Sequence, residues 1–498
     1  MTISSLTRRA ALFAALLALP VAAQNLAEFE KKITEFKLAN GMKFIVLERH
    51  DAPVIAFNAF VNAGSADDPN GMAGMAHMFE HMIGKGIRSV GSKDWAAEEK
   101  ALERIEQLYD KMQAARQGGN AEQLKTVEAD LKDAIASAEA HVDPNAYVRA
   151  IEEQGGVGFN AGTASDYTNY FYSLPSNKLE LWFLMSSEFF KQPVFRQFYK
   201  ERDVVLEERR MRVESDPQGK LIETVLHTAF EKHPYREGIG PAEEISNLRA
   251  KDARAFFQKY YVPGNVTVAV VGDVDPARVK QMAQKYFGDI KPGPMPPPVD
   301  VAEPKQEKER RVAMQLEAQP MLVMAYRRPD QRHPDDPVLD VIQGILSGGR
   351  TGWLYRDLVQ KERSALGVQA IASFPSGKYA NLFLFFGLPN AGRTVQDVEK
   401  GIESVVNRLT EQPVDAATLQ RIKTKVRAGL IRQLDSNSGL ASQLPFYEAM
   451  YGDWRMMFRG LQDIEKVTAE DVQRVAKTYF VPSSRTVVYT EQPKGAAK

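Results

Sequence analysis

Residues 250–263 read Ala-Lys-Asp-Ala-Arg-Ala-Phe-Phe-Gln-Lys-Tyr-Tyr-Val-Pro, and residues 469–482 read Ala-Glu-Asp-Val-Gln-Arg-Val-Ala-Lys-Thr-Tyr-Phe-Val-Pro. The two stretches align without a gap at an offset of 219 residues (250 to 469). Each leads into a strand start, Thr267-Val268 in the first and Thr486-Val487 in the second. A helix, turn and strand repeated at the end of each half predicts two homologous domains. Residues 291–306 hold six prolines (Pro292, Pro294, Pro296, Pro297, Pro298 and Pro304) and read as an extended linker. The expected first domain is therefore 24–290 and the second 307–498.

Working back from the linker, Val266–Gly272 reads as a buried strand and Pro276–Phe287 as a helix. Phe198–Val213 reads as a long helix bearing Glu201, Glu207 and Glu208, Leu179–Phe190 as a helix, and Thr168–Leu174 as a strand. At the start of the first domain, Ile33–Phe36 and Lys43–Leu47 flank an Asn40-Gly41 turn, and Val54–Asn62 follows as a further strand. Residues 94–140 carry apolar positions at three- and four-residue steps, broken by Gly118-Gly119-Asn120. That pattern predicts a helical hairpin inserted in the first domain, projecting, with charged outer faces. It serves as a stabilising spacer or as a partner-binding arm.

The chemistry concentrates in Gly74-Met75-Ala76-His77-Met78-Phe79-Glu80-His81-Met82-Ile83-Gly84. His77 and His81 are four residues apart and leave one helix face, the spacing at which two imidazoles can hold one metal ion. Glu80 sits at the edge of that face, within reach of a water on the metal. The flanking apolar residues predict a helix buried on most sides, where polar groups need a partner. A hydrogen-bonded core pair fits the same pattern, so a third ligand and a matching scaffold decide between them. The second half has one histidine, His333, and no such motif.

Composition narrows the class. Lys plus Arg and Asp plus Glu both number 64, which argues against a nucleic-acid binder, since that needs a basic excess. Cysteine is absent, so a metal must be held by His and carboxylates. Arg8-Arg9, a short apolar run and Pro20-Val21-Ala22-Ala23-Gln24 read as an export signal, 1–23, with cleavage expected after Ala23. The general export route is favoured over the twin-arginine one. No later stretch reaches the roughly 18 apolar residues of a membrane span. A periplasmic mature protein is expected.

The inverted His-x-x-Glu-His motif comes with Gly155-Gly156…Asn160-Ala161-Gly162-Thr163, a glutamate-bearing helix, Gly348-Gly349-Arg350-Thr351 and a duplicated chain. With these, the sequence resembles the pitrilysin or insulinase family of zinc peptidases, the inverzincins, which include mitochondrial processing peptidase. The resemblance covers nearly the whole mature chain. It implies an α+β fold of two α/β domains, each an antiparallel-rich sheet flanked by helices, facing each other like a clamshell. It implies one zinc per chain, with His77, His81 and, through Glu201-Arg202-Asp203-Val204-Val205-Leu206-Glu207-Glu208, Glu208 as ligands. Glu201 becomes the supporting acid and Glu80 the general base of peptide hydrolysis. Asn160 and Ala161 would contact a peptide added as a strand on a sheet edge.

One departure carries its own expectation. Where relatives place an Arg and a Tyr that grip substrate, this chain has Lys361 and, in Leu366-Gly367-Val368, a valine. A dimer is expected, with a homologous non-zinc subunit in preference to a second copy. The competing function is a catalytically silent binding or assembly subunit of a peptidase heterodimer. Retention of all four motif and ligand residues favours the endopeptidase, acting on unfolded peptides or short proteins.

Overall fold

The computed structural model describes residues 29–493, so the expected export signal, 1–23, lies outside the described residues. The first half contributes strands β1 (Ile33–Lys37), β2 (Lys43–Glu48), β3 (Val54–Val61), β4 (Val157–Thr163), β5 (Thr168–Pro175) and β6 (Val266–Gly272). Its helices are α1 (Met75–Met82), α2 (Trp95–Gln117), α3 (Ala121–Ala140), α4 (Ala146–Glu152), α5 (Leu179–Lys191), α6 (Phe198–Arg209), α7 (Pro217–Ala229), α8 (Ala242–Asn247), α9 (Ala250–Tyr260) and α10 (Pro276–Phe287). The second half contributes β7 (Arg310–Gln315), β8 (Leu322–Arg328), β9 (Ala365–Phe374), β10 (Asn381–Pro389) and β11 (Arg485–Glu491). Its helices are α11 (Asp336–Ser347), α12 (Val395–Glu411), α13 (Ala416–Gln433), α14 (Asn437–Tyr451), α15 (Met456–Lys466) and α16 (Ala469–Tyr479).

Two sheets result, ordered β1-β2-β6-β3-β5-β4 and β7-β11-β8-β10-β9. Each is antiparallel apart from one parallel pair, β2 with β6 and β7 with β11. In both cases the parallel partner is the strand that follows the repeated helix α9 or α16. The fold is therefore the two-sheet α+β arrangement that the family resemblance implies.

The central strands are apolar on both faces, and alternation assigns each face a different cover. Phe44, Val46, Phe57, Val268 and Val270 meet Trp182, Phe183 and Phe287 of the first half's own helices. The intervening residues Ile45, Leu47, Ala56, Ala269 and Val271 meet Leu440, Ala441 and Leu444 of α14, which belongs to the second half. The second sheet repeats this in reverse. Leu322, Met324, Phe383 and Phe385 face its own helices. Val323, Ala325, Leu384 and Val488 pack on Leu221, Val225 and Ala229 of α7, from the first half. Each buried Leu, Ile, Val, Phe or Met side chain among these stabilises by about 1.5–3 kcal/mol, so the exchanged helices are integral to both cores.

Polar contacts reinforce the seam. Asp166 is fully buried and accepts from the Tyr235 hydroxyl at 2.7 Å and the Lys378 N–H at 2.9 Å. The proline-rich segment carries no regular element and is tied down by Glu303. That carboxylate accepts the N–H groups of Glu231, Lys232 and His233 and pairs with Arg327.

The hairpin of α2 and α3 is capped by Asp94 and Asn120, each accepting an N–H of its helix's first turn. It is not a free arm, because the middle of α2 is bolted to α6. The Tyr109 and Tyr199 rings stack at 3.8 Å, and the Tyr199 hydroxyl donates to Glu106 at 2.5 Å.

Candidate metal centre

Helix α1 starts where the chain can turn most sharply. Gly74 has φ of 94°, the left-handed region that favours glycine, and an added Cβ would meet Ile245 at 2.9 Å. The Asp68 carboxylate accepts from the N–H groups of Gly74 (2.7 Å) and Ala76 (2.8 Å), satisfying donors that the helix start leaves open. Met75, Ala76, Met78, Phe79 and Met82 are buried. Phe79 alone meets the rings of Phe189, Phe195, Phe257 and Tyr261. With its apolar side fixed, α1 turns His77, Glu80 and His81 the other way.

Helix α6 supplies the opposing wall. Glu201 and Glu208 are two turns apart and share a face, while Glu207 is exposed and pairs with Arg210. Helix α6 ends at Arg209 and continues as a wider, π-type turn over Arg210–Glu214, which accounts for the longer helix expected from the sequence.

Glu208 Oε1 lies 3.7 Å from His77 Nε2, and Glu208 Oε2 lies 3.6 Å from His81 Nε2. Both distances are too long for a hydrogen bond. They suit a shared ion, because donors about 2.0–2.2 Å from zinc at tetrahedral angles lie roughly 3.3–3.6 Å apart. Among the described residues, His77, His81 and Glu208 form the group whose donor atoms all fall within 4.8 Å of one another. All three are partly buried, and burial together with the neighbouring His81 holds His77 below the usual imidazole range. A neutral imidazole is the form that ligates a metal. Two imidazoles and a carboxylate therefore fit a zinc ion and leave a coordination position open.

Glu201 reaches His81 Nδ1 at 3.3 Å through one oxygen and the Lys85 ammonium at 2.5 Å through the other. Burial alone would push the Glu201 carboxyl up. Its bonds to His81 and Lys85 outweigh that and hold it below the usual carboxylate range. Glu80 is partly buried and makes no hydrogen bond or ion pair with any described residue. It stands near the buried Tyr170–Tyr261 hydroxyl pair, whose oxygens are 2.6 Å apart.

Asn160 and Ala161 lie on β4, the edge strand of the first sheet. The strand is tied to α1 by Thr163, whose hydroxyl reaches the Ala76 carbonyl at 3.5 Å. The Ala161 N–H bonds to the Asn160 side-chain oxygen at 2.9 Å, not to β5, so it faces the open edge. The glycine-rich stretch is thus a strand with a bulge between Val157 and Asn160. Sequence reasoning missed Lys85, Asp68 and Arg212, the last of which pairs with Glu208 at 2.8 Å. A lysine four residues after His81 was the available signal for the first.

Residues 133–242 match the model of the insulinase family, peptidase family M16, and residues 247–426 match that of the peptidase M16 inactive domain. The chain belongs to the M16 peptidase family. It is 26% identical to the zinc protease PqqE of Helicobacter pylori over 471 residues, 91% of each chain. The crystal structure of a protease from Helicobacter pylori superposes with a TM-score of 0.77 at 25% identity, covering 92% of this chain and 99% of that one. The periplasmic protease PqqL from Escherichia coli shares the fold, with a TM-score of 0.68 at 15% identity over 93% of this chain and 48% of that one. The Helicobacter pylori relative is named a zinc protease, and the inactive-domain match falls mainly on the half without the motif. No described helix is long and apolar enough to cross a membrane.

Proposed function

We propose that this protein is an exported, periplasmic zinc endopeptidase that hydrolyses unfolded peptides or short proteins, with one zinc per chain. The observation that carries the reading is the convergence of His77, His81 and Glu208 beside an unpaired Glu80, next to an open sheet edge.

His77 and His81 would hold the ion through Nε2 and Glu208 through a carboxylate oxygen. A bound zinc ion supplies Lewis acidity, lowering the pKa of a coordinated water to about 7 and polarising a carbonyl. Glu80, without a competing partner, takes the proton of the attacking water and later returns it to the leaving amine. Glu201 accepts the Nδ1–H of His81 and fixes that ring. The outward N–H of Ala161 and the rest of the β4 edge pair with the peptide backbone, which selects extended shape over sequence.

The test compares wild type with Glu80→Gln on an unstructured peptide library, with bound zinc quantified in both. Zinc near one per chain in both, with cleavage by wild type alone, is the expected result. No zinc in either overturns the ligand assignment. A second reading, a silent subunit of a heterodimer, is favoured by the inactive-domain match and by Lys361 and Val368 in the second half. Zinc bound without cleavage by the isolated wild type would support the need for a homologous non-zinc partner, to be sought by pull-down.

A further inference from the structure

Lys85 sits one turn beyond His81, and its two ends are held by different parts of the molecule. Its ammonium lies 2.5 Å from Glu201 Oε1, and Glu201 Oε2 lies 3.3 Å from His81 Nδ1. Its main-chain carbonyl accepts from Arg196 Nη1 at 2.6 Å. Arg196 in turn donates to both oxygens of Glu98, at 2.6 and 3.1 Å. Glu98 belongs to α2, so the inserted hairpin supplies this counter-charge. The side chains of Glu98 and Arg196 are 0% and 1% exposed.

The chain between Lys85 and Gly91 is shaped around that guanidinium. The carbonyls of Lys85, Ile87 and Val90 all face it. Gly86 and Gly91 have φ of 93° and 108°. A Cβ on them would fall 2.9 and 2.4 Å from Arg196 Nη1, so neither position has room for a side chain. A buried bidentate pair of this kind is geometrically specific. It fixes where the Lys85 stem begins.

We propose that Lys85 is a positioning residue of the metal centre, anchored through Arg196 to Glu98 of the hairpin, and that it aims the Glu201 carboxylate at His81. The proposal rests on the zinc reading above. Histidines that ligate metals donate their second ring N–H to an acceptor that sets ring orientation. Among the described residues only one imidazole of the pair has such an acceptor, because His77 Nδ1 is buried without a partner there. The orientation of the pair therefore depends on Glu201. A carboxylate with one oxygen on His81 can still rotate unless its other oxygen is held, and Lys85 holds it.

The experiment measures apparent zinc affinity by chelator competition at fixed pH on the full chain. It uses wild type, Lys85→Met, Lys85→Arg, Glu201→Gln and the double variant Lys85→Met/Glu201→Gln, with folding checked by circular dichroism. Loss of a supporting partner costs about 10–100-fold in metal affinity. Lys85→Met is expected to fall in that range, Lys85→Arg to restore most of the affinity, and the double variant to be no weaker than Glu201→Gln alone. Lys85→Met with wild-type affinity, or losses that multiply in the double variant, overturns the positioning role while leaving the zinc reading intact. A folded wild type that binds no zinc overturns the metal centre itself and this proposal with it.

Discussion

The Glu208 carboxylate stands 3.6 Å from His81 Nε2, across the gap between α1 and α6, with no hydrogen bond to close it. Removing that carboxylate separates the proposed ligand from its neighbours on the helix. Glu208→Gln should weaken zinc binding by more than the roughly 10–100-fold expected for a supporting group. Glu207→Gln, at an exposed position paired only with Arg210, should leave zinc content and cleavage unchanged. Chelator competition on the two variants side by side checks this, and equal effects would undo the assignment.

The hydroxyl of Tyr199 donates to Glu106 at 2.5 Å and joins α6 to the hairpin. A hydrogen bond to a charged acceptor is worth about 1.5–3 kcal/mol. Tyr199→Phe keeps the ring stack on Tyr109 and loses only that bond. A drop of this order in urea-unfolding free energy is expected, with zinc stoichiometry retained.

On the β4 edge, the outward N–H of Ala161 can be deleted without touching the ladder to β5. Proline is tolerated on edge strands. Ala161→Pro should preserve folding and reduce kcat/KM on extended peptides by about 2–13-fold, the equivalent of one net backbone hydrogen bond of about 0.5–1.5 kcal/mol. Unchanged kinetics would place the substrate elsewhere.

Glu303 makes a prediction about pH. Burial alone would raise its carboxyl, but three backbone N–H donors and Arg327 outweigh that and hold it at about 2, against an ordinary value of 4.5. A carboxyl depressed in the folded state stabilises above its unfolded value and loses that contribution as pH falls through the folded one. Wild type should therefore exceed Glu303→Gln in stability at pH 7, with the gap narrowing from about pH 4.5 towards pH 2. Urea midpoints across that range measure it, and a gap that stays constant would contradict the sign.

Local signals were the legible ones. The Asn40-Gly41 turn, β6 and α10 follow from short-range pattern, and the spacing of His77, Glu80 and His81 is visible within one helix. Glu208 rested on resemblance, because nothing local distinguishes it from Glu207. The second half's strands were harder. Leu322–Tyr326 and Leu382–Phe385 are apolar at every position, so alternation is lost. Their second face is covered by α7, which lies far back in the sequence, and no window of residues records that. Lys85 was silent for the same reason, since its meaning lies in Glu201 and Arg196.

The traded helices α7 and α14 also decide how the molecule comes apart. Severing the proline-rich segment leaves two fragments still interleaved through each other's cores, so a nicked chain stays assembled. Expressed alone, either fragment would present a bare apolar sheet face and precipitate, while mixing the two from denaturant should rebuild the whole. The two halves therefore form a single cooperative unit. Neither half can melt and leave the other standing.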